Sequence, residues 1–537
     1  MMTTHPRTPI PANKLPAHIR PVIARVGWAR RRLLTHIGAV AVALASCGAA
    51  VAQSFESQIT SAISAAKLGP KAEVGVCIID TSTGQVLAAV ESKRPMTPAS
   101  NLKLVTSGVA LHVLGPDFEF KTSFFVDGGS LVIRGGGDPA LGDPKLLAKR
   151  AWTIESFIAQ IADAAAKAKV SGIEQVVVDD RVFDRFTVHP SWPEKQLNLW
   201  YCAPVLGLNF HTNVVELYPR ASDRAGGSPI VVTQPAAPWI QVDTASARTS
   251  REGATSLWAQ QSPSDSVFAF KLFGTFRTGN TAAGEPVEVT VDEPGLVFAK
   301  LVRDELERRG MTARASVPVR LAIASEQFND ARTFAVVSTP IQAVIERCNT
   351  DSQNLYAEAL IKRVANQTTG QPGSWTNGVQ VARAKLQELL GTDVDGLQLS
   401  DGSGLSRDNR ISPATLARWL AVMVNDPRLA APYWASMAST AEGRLQTRFR
   451  DRKLVNRVKA KTGYIRGVLC LSGYVSTPSA TEGDAPGDRT IAFVVMVNNT
   501  QASLSNAREL HEDIVQIVDR WLARQAPKPA PEPAFGG

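Results

Sequence analysis

The chain of 537 residues predicts an α+β protein in which strands and helices of one texture, at both ends, are interrupted by one or two inserted domains. Three observations lead there. Near the N-terminal end, strand-like runs at 74–80 and 86–90 flank the turn residues Ser82-Thr83-Gly84-Gln85, and a helical stripe follows. Near the other end, apolar runs at 468–475 and 491–497 are followed by a helical pattern over 510–522. Between about Lys121 and Ser325 the texture changes to short strands and amphipathic helices with their own turn signals.

Taken in order, residues 57–66 read as a short helix ahead of the first hairpin. Thr97 is placed to cap the next helix, with Pro98 in its first turn, and Leu102, Val105, Val109 and Val113 recur at helical spacing. Residues 124–126 and 131–133 flank Asp127-Gly128-Gly129-Ser130, a second hairpin. A helix over 154–169, strands at 176–178, 267–272 and 287–291, and a helix over 296–309 stopped by Gly310 complete the middle block. The glycines of Arg134-Gly135-Gly136-Gly137-Asp138-Pro139 lack the Lys-Ser/Thr and the helix start of a phosphate cradle, so a tight turn is expected. Residues 222–228, rich in Gly and Ser, read as a surface loop. Helices at 339–347 and 355–363 then restore the first texture, and Val455 and Val458 suggest a strand leading towards Lys461. The closing helix carries Glu512 and Asp513 and no lysine-rich face, so packing on a sheet is expected rather than membrane docking. The expected organisation is an export signal (1–52), a first part of the main domain (53–120), inserted domains (121–325), its second part (326–525) and a Pro-rich disordered tail (526–537).

The net charge of +9 invites a nucleic-acid reading that its distribution removes. Residues 1–52 hold seven basic side chains and no acidic one, so 51 basic groups face 49 acidic groups in the remainder, a balance of +2. That leader has an export pattern: Arg30-Arg31-Arg32, an apolar run too short to span a membrane comfortably, and Ala50-Val51-Ala52 as a cleavage site. Leu44-Ala45-Ser46-Cys47 competes with it, as a lipoprotein box that would leave Cys47 acylated. The leader implies a periplasmic protein with at most peripheral or lipid-anchored membrane association. Four cysteines follow it, Cys77, Cys202, Cys348 and Cys470; their spacing forms no disulfide framework, and buried thiols are expected. With no Cys-x-x-Cys and no clustered histidine, neither a metal nor another cofactor is expected.

The chemistry centres on Ser100 and Lys103. Three positions apart on a helix, hydroxyl and amine share a face one turn from each other, near the N-terminal end where free backbone N–H groups favour developing negative charge. Ser-x-x-Lys alone is common. Two companions give it weight: Ser352-Gln353-Asn354, where a helix should begin, and Lys461-Thr462-Gly463, beside a strand.

In that order the three motifs resemble those of the penicillin-recognising serine enzymes. More narrowly, the chain resembles the D-alanyl-D-alanine carboxypeptidase/endopeptidase family of penicillin-binding proteins (the penicillin-binding protein 4 type, serine peptidases of the Ser-x-x-Lys class). Pro98 to Lys103, Gly137-Asp138-Pro139, Ala357-Glu358 after the second motif, Asp401 to Arg407 and Lys459 to Gly463 carry the resemblance. The 252 positions between Ser100 and Ser352 also fit, since that family inserts domains there. The fold implied by the resemblance is a serine β-lactamase/DD-peptidase-like helix–sheet–helix domain with an antiparallel sheet, built from both ends of the chain and interrupted by inserted α/β and β-rich domains. The resemblance implies that Ser100 forms an acyl-enzyme and that Lys103, neutral through burial and a nearby Lys461, takes its proton. Ser352 would relay a proton to the leaving amine, and Asn354 would orient Lys103 and the substrate amide. Lys461 and Thr462 would hold the substrate carboxylate, while Gly463 lets the substrate lie along the strand edge. The backbone N–H groups of Ser100 and Tyr464 would form the oxyanion hole. Tyr464 departs from the small hydroxyl residue usual there. Asp179 would meet the amino group of the peptide's diamino acid, or else simply end a strand. The implied partners are peptidoglycan peptides and β-lactam antibiotics. A β-lactamase or esterase on the same scaffold, and a non-catalytic cell-wall binding protein, are the alternatives. A Ser-His-Asp triad at Ser403 is disfavoured, because Gly402-Ser403-Gly404 lacks the nucleophile elbow and no histidine lies near it in sequence.

Overall fold

The computed structural model describes residues 55–525 apart from 223, 225, 264–267, 279–284, 392–393, 451 and 480–484. The expected export signal at 1–52, Cys47 and the expected tail at 526–537 lie outside the described residues. Helix α1 covers residues 55–65. Strands β1 (Glu73–Asp80) and β2 (Val86–Val90) precede helix α2 (Leu102–Leu114). Next come β3 (Glu119–Asp127), β4 (Ser130–Arg134), α3 (Pro144–Lys149), α4 (Ile154–Lys167) and β5 (Gln175–Asp179). Strands β6 (Val214–Arg220), β7 (Ile230–Gln234), β8 (Ile240–Ser250), β9 (Trp258–Ser262), β10 (Phe268–Arg277) and β11 (Val287–Thr290) follow. Helix α5 (Pro294–Arg308), β12 (Val319–Leu321) and β13 (Thr333–Pro340) lead into four helices, α6 (Ile341–Thr350), α7 (Asn354–Thr369), α8 (Trp375–Leu390) and α9 (Pro413–Asn425). The chain closes with α10 (Ala430–Ala435), β14 (Ala438–Ser439), β15 (Arg457–Ile465), β16 (Val468–Ser476), β17 (Thr490–Asn498) and α11 (Leu504–Gln525).

The two chain ends meet in one antiparallel sheet of order β14-β15-β16-β17-β1-β2. Strand β17 sits inside it, pairing with β16 and, from Glu73↔Asn498 to Asp80↔Ile491, with β1. Every residue of β16 and β17 is buried, which is why these runs read as continuously apolar: both faces are covered. Ala492, Val494 and Met496 join one core with α2 and α6–α10. The intervening Phe493, Val495 and Val497 point the other way, where α11 packs on β16 and β17. No described helix is long and apolar enough to cross a membrane.

The insertion closes on itself. Strands β3 and β13 pair antiparallel from Glu119↔Pro340 to Thr333↔Phe125, so the strands by which the chain enters and leaves are neighbours. This lets a large body interrupt the main domain without separating α2 from α6. Its five-stranded mixed sheet has the order β12-β5-β4-β3-β13, and α4 and α5 share its core. Two three-stranded sheets, β8-β10-β9 and β11-β6-β7, complete it. Strand pairing thus carries the inserted body to Pro340, past the boundary at 325 expected from composition.

Candidate active site

The nucleophile's turn is built differently from the expected cap. Residues Ala99–Asn101 form a 3-10 turn ahead of α2, and no side chain caps it. Thr97 is occupied elsewhere: its N–H donates to Asn498 Oδ1 (2.9 Å), and its hydroxyl accepts from Arg410 Nη1 (3.1 Å). The turn is fixed by contacts with distant strands, which overrode the local capping preference. Asn101 Nδ2 donates to the Lys461 carbonyl on β15 (2.6 Å). At Gly463 a Cβ would stand 2.9 Å from the Pro98 carbonyl oxygen, so glycine lets β15 approach the Ser100 turn.

Lys103 is wholly buried, and its Nζ has three oxygen neighbours: Ser100 Oγ at 3.0 Å, Asn354 Oδ1 at 2.7 Å and the Ser403 carbonyl at 2.9 Å. Burial brings its pKa down to about 8; Cys348, Glu358 and Asp401 oppose that shift and Arg444 adds to it. Lys461 is also wholly buried, and its Nζ donates to Ser352 Oγ (2.7 Å) and to the Thr462 carbonyl (2.8 Å). Burial, then repulsion from Lys103, holds it well below the usual lysine range. Ser352 takes the left-handed conformation (φ 64°) just before α7, and Asn354 opens that helix. Asn354 Nδ2 donates to the Tyr201 carbonyl (2.7 Å), so the inserted body braces a residue of the main domain.

One cavity of about 1010 Å³ is lined by Ser100, Ser352, Asn354, Thr462, Gly463 and Tyr464 together. Three sequence-distant motifs thus meet at one opening, with two lysines buried beneath it. Residues 56–523 match the model of the D-Ala-D-Ala carboxypeptidase 3 (S13) family. The chain belongs to that family. It is 28% identical over 481 residues to a D-alanyl-D-alanine carboxypeptidase of Actinomadura sp., covering 85% of this chain and 83% of that relative. The D-alanyl-D-alanine carboxypeptidase DacB of Haemophilus influenzae is 23% identical over 480 residues, 84% of this chain and 90% of the relative. The fold is similar to that of penicillin binding protein 4 from H. influenzae, with a TM-score of 0.66 at 20% identity, over 86% of this chain and 99% of the other. The relationship makes the protein a carboxypeptidase of this serine-peptidase family.

Within this family member, Tyr464 is 57% exposed on the cavity wall, and the inserted body contributes Trp200 and Tyr201 opposite the family motifs. Asp179 does not line the Ser100 cavity. It lines a separate cavity with Arg134 and Arg181, and Arg181 Nε (2.7 Å) and Arg134 Nε (3.0 Å) donate to it. Burial would raise its pKa, but the two guanidinium groups outweigh that and hold it low. Ser403 is buried and reaches Lys103 through its carbonyl. Among the described residues Ser191 touches a histidine, 2.9 Å from His189 Nδ1, but His189 Nε2 meets the Ser400 carbonyl where a triad needs a carboxylate. Cys77, Cys202, Cys348 and Cys470 are free and buried; burial raises the first three thiols to about 12.

Sequence reasoning missed Arg444 as the cation acting on Lys103, because the lysine motifs drew attention to Lys461. It quoted Glu358 only as part of a resemblance. An acid inside the apolar run Leu355 to Ile361, four residues after Asn354 and so on the same helix face, was the available signal; the structure buries it fully.

Proposed function

We propose that the protein is a serine-type D-Ala-D-Ala carboxypeptidase and DD-endopeptidase of peptidoglycan stem peptides, working through an acyl-enzyme on Ser100. The observation that carries this reading is Lys103 Nζ 3.0 Å from Ser100 Oγ in a buried pocket that also holds Lys461 and Ser352. Ser100 Oγ attacks the carbonyl carbon of the scissile D-alanyl bond and gives its proton to neutral Lys103. The backbone N–H groups of Ser100 and Tyr464 hold the oxyanion. Ser352, bonded to Lys461, passes a proton to the departing amine as the C–N bond breaks, and water then hydrolyses the ester. Lys461 and Thr462 hold the terminal carboxylate, while Asn354 steadies Lys103. Asp179 has no step in this scheme. An exported, periplasmic protein has this substrate within reach.

A β-lactam presents a strained amide carbonyl and a carboxylate in an arrangement analogous to the peptide's end, so it should acylate Ser100. Mass spectrometry after incubation with penicillin is expected to find the adduct on Ser100, lasting many minutes, and none on Ser100→Ala. Rapid turnover would move the reading to a β-lactamase. Unmodified protein, with wild-type biological activity in Ser100→Ala, would move it to a non-catalytic binder.

A further inference from the structure

Glu358 is wholly buried on α7, and all its hydrogen bonds point at the loop after Asp401 or at its support. Its Oε1 accepts from the Ser403 N–H (2.8 Å), and its Oε2 accepts from the Gly402 N–H (2.8 Å) and from Trp375 Nε1 (2.8 Å). Thr106 Oγ1 on α2 grips the same loop from the other side, donating to the Gly402 carbonyl (2.6 Å). What this clamp presents is the Ser403 carbonyl, 2.9 Å from Lys103 Nζ.

A neutral primary amine has two N–H donors and one lone pair. Asn354 Oδ1 and the Ser403 carbonyl are acceptors and take the two N–H groups. The lone pair is then left for the third neighbour, the Ser100 hydroxyl, the direction a general base needs. Without the Ser403 carbonyl the amine can turn about its Cε–Nζ bond and offer an N–H to Ser100 instead. We propose that Glu358 is a positioning residue of the reaction: by clamping the amides of Gly402 and Ser403 it fixes the carbonyl that turns the Lys103 lone pair towards Ser100. This rests on Ser100 as nucleophile and Lys103 as base, the reading given above.

The carboxylate has a second effect. Lys103 is faced by Glu358 on α7, Asp401 on the loop, Cys348 on α6, Lys461 on β15 and Arg444. Glu358 also faces Lys362, whose ammonium lies 4.0 Å over the Trp375 ring and pairs with Asp184 (2.8 Å). Burial, with Asp401 adding to it, raises the Glu358 carboxyl to about 7, so it is ionised where Lys103 titrates near 8; its negative charge there favours protonated Lys103, and its removal extends the neutral amine to lower pH.

The test is the pre-steady-state acylation of Glu358→Gln by penicillin across pH. The amide sets an NH2 group against a backbone N–H and breaks half of the clamp. The saturating acylation rate is expected to fall on the order of ten- to a hundredfold, with the non-covalent affinity for penicillin unchanged and the acid limb moved to lower pH. A purely structural role would weaken affinity as well, so the split between rate and affinity separates the two, while the moved limb reports only the lost charge. A wild-type saturating rate overturns the proposal, wherever the limb lies. Should Glu358→Gln not fold, the near-isosteric Thr106→Val loosens the same loop, with a several-fold slower acylation expected; a wild-type rate in that variant overturns the proposal. A wild-type protein that never forms the Ser100 adduct sinks the functional reading itself, whereas normal acylation in wild type and variants sinks the clamp alone.

Discussion

Lys103 has to do something an exposed lysine does not: lose its proton near neutrality while touching three oxygens. Burial supplies this, since a desolvated ammonium is less stable than a desolvated amine, and the acids around Lys103 leave it at about 8 rather than lower. The sign follows directly. Only the neutral amine accepts the Ser100 proton, so the acylation rate should rise with pH through about 8 and level off above it. Penicillin acylation followed across pH checks this, and a rate that falls through the same region would contradict it. Lys103→Arg keeps a cation in the pocket but cannot give a neutral base, so acylation should be lost at every pH.

Helix α9 is one of the elements that hold α2 behind the nucleophile's turn. Trp419 on α9 is fully buried, and its indole N–H donates to the Leu104 carbonyl (3.0 Å), one residue beyond Lys103. At Gly108 a Cβ would stand 2.6 Å from that ring, so the two helices meet at a glycine. Trp419→Ala is expected to cost roughly 3–5 kcal/mol, from lost burial plus the cavity left behind. Denaturant unfolding should show it, together with slower Ser100 acylation. How much of this was legible follows the range of the forces. The hairpin β1–β2, helix α2 and strands β16 and β17 could be read because their apolar patterns are local, and the three motifs because each spans only a few residues. Helices α8 and α9 went unread although Ser374, and Ser412 with Pro413, cap their first turns in the ordinary way. The Thr97 cap was expected on local preference, and contacts with Asn498 and Arg410 overrode it. The Ser403 carbonyl could not have been found at all: a main-chain acceptor has no letter in the sequence.

At the scale of the whole molecule, charge is informative only once it is placed. Beyond residues 1–52 the chain is close to neutral, 51 basic groups against 49 acidic, so no long-range field is expected from the net value. The cavity around Ser100 differs. Arg407, Arg444, Arg448, Arg466 and Arg508 line it against Asp408 and Glu512, an excess of three positive charges. Arg448 pairs with Glu512, which leaves four arginines facing Asp408. Charges of one sign on the walls of a cleft focus the field at its mouth and raise the encounter rate of an anion. Penicillin and a peptide ending in D-alanine both present a carboxylate. Since ions screen such a field beyond about 8 Å at physiological ionic strength, added salt should act on encounter and not on chemistry. The second-order acylation constant for penicillin is expected to fall on the order of three- to tenfold between low and high salt, while the saturating first-order rate stays constant. Neutralising Arg444 and Arg508 together should flatten that salt dependence. A second-order constant indifferent to salt in the wild type would mean that the arginines act only at contact, as ligands to a bound carboxylate. Equal salt sensitivity in both constants would instead point to a change in the buried lysine pair, which low-dielectric surroundings ought to shield from bulk ions.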